Sequence, residues 1–124
     1  MSQKTRNIVG WVLSGLLALV FIMSAFMKLT QDEAAVAQAA AFGIDAATYR
    51  TIGIIEVISL ALFLIPRTGV IGTLLLAAYL GGAIVTHLLH HESVITAVVV
   101  QCVLWITAVI RFPELLQRLT TAKG

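Results

Sequence analysis

The stretch Ile8–Leu29, IVGWVLSGLLALVFIMSAFMKL, runs for 22 residues and carries no charge before Lys28. At about 1.5 Å of rise per residue it is long enough to cross a hydrocarbon core of roughly 30 Å as one helix. Lys4 and Arg6 precede it and Ala39 and Ala41 follow, a pattern shared with secretory leaders. A leader's apolar region is about 7–15 residues, however, so the run is expected to stay in the mature chain as a span.

The rest of the sequence agrees with a lipid solvent. Of its 124 residues 60% are hydrophobic and 11% charged, and the mean hydropathy is +1.01. Soluble domains carry about 25% charged residues, and one this small could not hide so much apolar surface. Three further apolar runs follow, at residues 46–65, 69–89 and 94–110. Asp45 fits the N-cap of the second, Pro66 its end, and Pro113 stands beyond the fourth. Between the first two spans, Asp32 and Glu33 suit a helical first turn and Gly43 a stop. A short interfacial helix is expected there; an extension of the first span and a loop are the alternatives. The sequence is therefore read as one domain, residues 1–124. It is an all-α integral membrane four-helix bundle with a short interfacial helix between the first two spans.

Four spans put the termini and the second connection on one side of the membrane. That side carries Lys4, Arg6, Arg67, Arg111, Arg118 and Lys123, against Lys28 and Arg50 on the other. Positive charge is retained in the cytoplasm, so both termini are expected to be cytoplasmic, in a bacterial inner membrane. The same flanking placement, with no interleaved basic patch, argues against nucleic acid as a partner despite a net charge of +2. The lone Cys102 excludes a disulfide or a paired-thiol redox motif within the chain.

Polar residues inside the spans need an explanation. A carboxylate in a membrane helix costs about 3 kcal/mol on insertion scales, so Glu56 requires a partner, a proton or a wet cavity. By helical rise it lies about 9 Å below Arg50. Lys28 and His87 lie at similar depth on the first and third spans, and Lys28 can reach inward on its flexible stem. Either a polar pocket opening outward joins the three, or Lys28 and Glu56 form a structural ion pair. His87 and His91, four apart, have a metal-ligand spacing on a helix. No other span supplies a histidine, so an interfacial helix ending is the favoured reading and no metal is expected. A haem held between two helices within one chain has no ligands here. Tyr49, Gly53 and Glu56 share one helical face, as do Ala78, Gly82 and Thr86. With Gly81 these small-residue stripes are expected to mark helix-packing surfaces. Gln101 is expected to make an interhelical hydrogen bond and Cys102 to be a small packing residue. Nothing resembles a phosphate loop, a hydrolytic triad or a nucleic-acid motif, and the sequence assigns no catalytic residue.

Three segments resemble, in order, the signatures of the DoxX-like membrane proteins. They are Ser24-Ala-Phe-Met-Lys28-Leu29, Gly53-Ile-Ile-Glu56 leading to Pro66-Arg67, and Tyr79-Leu-Gly81-Gly82-Ala83-Ile-Val-Thr86-His87. Ala25 stands where the signature has glycine. The resemblance implies a four-span bundle, and Lys28, Glu56, Thr86 and His87 as a shared site. It implies no single activity. Some relatives are linked to thiosulfate–quinone oxidation or oxidative-stress complexes, and a eukaryotic nicotinic-receptor assembly factor is similar. The expected function is that of an accessory or assembly protein without catalysis of its own. It would bind a partner membrane protein, a second copy or a lipid-like ligand among the membrane lipids. The alternative is a quinone- or proton-handling subunit of a membrane redox complex.

The charge count sets the first expected outcome. With Cys102 replaced by alanine, a cysteine introduced near Glu92 should react with an impermeant thiol reagent in intact cells. One near Met1 should react only after lysis, and its labelling in intact cells would reverse the orientation.

Overall fold

A computed structural model describes residues 2–121, and there the chain folds as helices joined by short links. Lys123, one of the charges counted for orientation, lies outside the described residues. Six helices follow in order: α1 Gln3–Leu29, α2 Glu33–Ala41, α3 Ala46–Leu64, α4 Gly69–Leu89, α5 Ile95–Arg111 and α6 Pro113–Thr120. A 3₁₀ turn, Pro66–Thr68, joins α3 to α4. Among the described residues three helices are long and apolar enough to cross a membrane, or four if α5 and α6, bent by 107°, count as one span. At 17 residues α5 is itself about 26 Å long, near the lower limit for a span.

Local chemistry fixes the boundaries. Ser2 caps α1 by accepting from the Thr5 amide, so the helix starts five residues before the apolar run (Gln3 against Ile8). Helicity and immersion are separate properties, and the polar first turns need only the former. Asp32 accepts from the Ala35 amide at 3.1 Å and starts α2. Gly43 leaves α2 at φ 81, a left-handed conformation that glycine adopts without a Cβ clash. Asp45 accepts from the Thr48 amide at 2.7 Å. Hydrogen bonds from Thr48 hold the Asp45 carboxyl below its ordinary range, so this cap persists through mild acid and fades only as pH falls through that lowered value. Pro113, at the first position of α6, turns the chain through 107° from α5.

The spans form a ring in which α1 packs on α3 and α5, and α4 packs on the same two. Short links make neighbours antiparallel. Leu17, Phe21, Leu60, Phe63, Leu76, Leu80 and Leu104 fill the centre. The buried hydroxyls of Ser14, Ser59, Thr73 and Thr107 each donate to the carbonyl four residues earlier in the same helix. That satisfies them without water, which the hydrocarbon core does not supply.

The glycines on α4 divide sharply, and here an expectation is corrected. A Cβ on Gly72 would strike the backbone of Phe63, and one on Gly69 the ring of Phe112. Added at Gly81 or Gly82 it would meet nothing within 4 Å. The close helix approach on α4 is therefore at its first turn, and Gly81 and Gly82 do not mark a contact within the chain. Gly53 does, since its added Cβ would fall 2.7 Å from Lys28 Cβ. Cys102, expected to pack, is exposed. Its neighbour Gln101 points inward and donates to the Ala77 carbonyl at 3.2 Å.

Replacing Gly72 with alanine should cost about 1–3 kcal/mol or more, because rigid backbone must move to admit the methyl. Gly82→Ala should be neutral or stabilising by up to about 1 kcal/mol, since nothing opposes the methyl and alanine favours the helix. Unfolding in mixed micelles reads both, and equal effects would contradict the packing described.

Candidate functional site

Lys28 is the penultimate residue of α1, and its side chain folds back along that helix instead of leaving for water. Its Nζ lies 2.6 Å from Ser24 Oγ, one turn earlier, and 3.2 Å from Glu56 Oε1 on α3. Ser24 Oγ also donates to Glu56 Oε1, at 3.3 Å. The rings of Tyr49 and Tyr79 flank the ammonium, with centroids 5.4 and 5.6 Å away. Electron-rich ring faces add to the carboxylate's attraction for this cation. Gly53 makes the arrangement possible, because a side chain there would displace the Lys28 stem. Lys28 is 8% exposed and Glu56 0%. Glu56 Oε2 has no hydrogen-bond partner.

Two adjoining cavities border this cluster. The larger, about 330 Å³, is lined by Lys28, Phe42, Ile52, Gly82, Thr86 and His87 among others. The smaller, about 290 Å³, lies toward α5 and is lined by Ser24, Glu56, His87, Ser93, Thr96 and others. Tyr79, Ala83 and His87, one helical stripe of α4, line both. Lys28, Glu56 and His87 are thus brought to adjacent walls rather than to one chamber. Thr86 donates to the Gly82 carbonyl at 2.8 Å. The Ala78–Gly82–Thr86 stripe, expected to pack a helix, borders the larger cavity. The Tyr49–Gly53–Glu56 stripe does pack, against α1.

His87 Nδ1 is 2.7 Å from the Ala83 carbonyl. A carbonyl only accepts, so the neutral ring carries its proton on Nδ1 and leaves Nε2 as an acceptor. Phe42, at the end of α2, meets His87 edge-on at 5.7 Å and stacks on His90 at 4.6 Å. Phe42 thereby lines the larger cavity on the α2 side. The structure does not keep His87 and His91 on one helical face. Helix α4 ends at Leu89 and His91 has φ 58, so the shared helical face stops before His91. Among the described residues no group of three metal-ligating side chains forms.

Residues 12–110 match the sequence profile of the DoxX-like family. The chain belongs to the DoxX-like family. Comparison with curated proteins and with solved structures gives no match to this chain.

In this DoxX-like protein Ser24, Tyr79 and Phe42 join the site in addition to the residues expected from the sequence. Ser24 had a signal, being four residues before Lys28 and so on its face. Tyr79 lies eight residues before His87 on one stripe. Phe42 had none, because its place depends on how the α2 hairpin folds over α4.

A double-mutant cycle tests the ion pair. Lys28→Met and Glu56→Leu should each destabilise by about 3–5 kcal/mol, by stranding the other charge. The double variant should recover most of that loss, read as thermal stability in detergent, and an additive loss would mean that the two charges do not depend on each other.

Proposed function

We propose that this protein is a non-catalytic accessory protein of the bacterial inner membrane, with both termini cytoplasmic. Its paired cavities take a lipid-like ligand from the outer leaflet. The observation that carries this reading is the unpartnered Oε2 of Glu56, on a carboxylate at the wall of an apolar cavity. A buried acceptor without a donor costs about 1–3 kcal/mol. A ligand that brings a donor recovers that cost. His87 Nε2 is a second acceptor bordering both cavities. The favoured ligand is therefore amphipathic, with an apolar body and a hydroxyl or amine at its head.

A chain of this design needs no redox centre of its own to act as a carrier, chaperone or assembly subunit. The small residues Ala78, Gly82 and Ala83 in the wall of the larger cavity also leave room for a side chain of a partner protein's helix. A second reading is a quinone- or proton-handling subunit, favoured by the presence of two protonatable groups, Glu56 and His87, around one apolar cavity. An electron carrier would then have to come from a partner chain.

Native mass spectrometry after extraction in a mild detergent distinguishes the readings. The accessory reading expects a colourless protein that retains a hydroxyl- or amine-bearing lipid or a co-purifying polypeptide. Glu56→Gln should weaken lipid retention at least tenfold, since the amide can turn a donor toward the ligand. Bound quinone, or haem or flavin absorption from a co-purifying subunit, supports the redox reading. Retention by Glu56→Gln equal to wild type overturns the role given to the carboxylate.

A further inference from the structure

At the opposite end of the bundle a second cluster has no part in that reading. Arg111, the last residue of α5, turns its guanidinium back across the ends of α1 and α3. It donates to the Phe63 carbonyl at 2.8 Å, the Leu64 carbonyl at 3.4 Å and Ser14 Oγ at 3.4 Å. The two carbonyls belong to the last residues of α3, which Pro66 and its neighbours leave without helical donors. The rings of Trp11, Phe63 and Phe112 surround the cation at 4.4–4.9 Å.

A guanidinium has five N–H donors, and three are used here, leaving two. Beside it is a cavity of about 180 Å³ lined by Arg6, Asn7, Trp11, Pro66, Arg111 and Phe112. That is ample room for a phosphate tetrahedron. Arg6 has no side-chain partner among the described residues. Asn7 accepts from Gln3 at 3.1 Å through its carbonyl oxygen, so its amide protons remain to be donated. Two cations and an amide donor thus border one small cavity, and no carboxylate lines it.

We propose that this corner is a binding site for a phosphate group, filled by the headgroup of an anionic phospholipid. Arg6, the spare donors of Arg111 and Asn7 hold the phosphate oxygens. The acyl chains run along the exposed faces of Trp11 and Ile8. Helix α6, bent 107° away from α5, carries exposed Leu116 and Leu119 and lies in the plane of the headgroups. Basic pockets at helix ends recognise anionic lipids by such contacts, each cation near the surface adding about fivefold to affinity.

The test is a native mass spectrometry titration of the full chain in dodecyl maltoside. Dioleoyl phosphatidylglycerol is compared with dioleoyl phosphatidylcholine. One phosphatidylglycerol per chain should be retained in preference to phosphatidylcholine. Arg6→Gln should lower its affinity about fivefold without lowering the melting temperature of the lipid-free protein. Lys4→Gln, which changes the same net charge outside the cavity, should bind as wild type. Displacement of the lipid by millimolar inorganic phosphate would keep the phosphate site and assign it to a soluble ligand. Equal retention of the two lipids, or equal losses from Arg6→Gln and Lys4→Gln, would overturn the proposal.

Discussion

Hydrocarbon offers no hydrogen bonds, so each charge inside this bundle must find its counterpart within the protein. The contact between Lys28 and Glu56 meets that requirement and in doing so fixes α1 against α3. The pair brings Ser24 and the two tyrosine rings into place, and it relies on Gly53 to let the lysine stem pass. Stability is a poor explanation for such a pair, because apolar side chains of the same volume would cost less to bury. Register is a better one. An apolar helix face slides or rotates at small cost, whereas a carboxylate with one possible cation has a single position.

Association in lipid lacks the hydrophobic gain that assembles soluble bundles, and shape has to compensate. Gly69 and Gly72 bring the start of α4 close to Phe112 and to the backbone of Phe63. Toward the other end of α4, the space beside Tyr79, Ala83 and His87 forms the two cavities. Close contact at one end and open volume at the other follow from where the glycines meet a neighbour and where they do not.

Much of the fold was legible in the sequence, because span length, caps and prolines act locally. Asp45, Gly43, Pro66 and Pro113 each do what their chemistry dictates. The ion pair was legible too, since the cost of Glu56 demanded a partner and few were available. Which glycines touch a neighbour was not. Helix α4 carries few polar residues, so its pattern does not show which glycines turn inward, and Gly81 and Gly82 look as suited to contact as Gly72. Cys102 was misplaced for the same reason, while Gln101 marked the inner face of α5 through its polarity. The Arg111 cluster was hidden because a basic residue at a span's end reads first as a topology signal, and its inward turn depends on three other helices.

The helices of the bundle differ in length, and within a bilayer that difference would act on the lipid. Helix α4 has 21 residues and α5 has 17, a shortfall of about 6 Å along the axis. Where α5 faces the bilayer, the acyl chains must compress or the helix must stand closer to the membrane normal than its neighbours. The proline bend after Arg111 prevents α5 from gaining depth by continuing into α6. The bundle therefore has a thin edge and a thick edge. Lipids pay an elastic cost along the thin one, and a neighbouring protein with an equally short helix would relieve it. Lateral sorting in the membrane is thereby biased toward the α5 side without a specific contact.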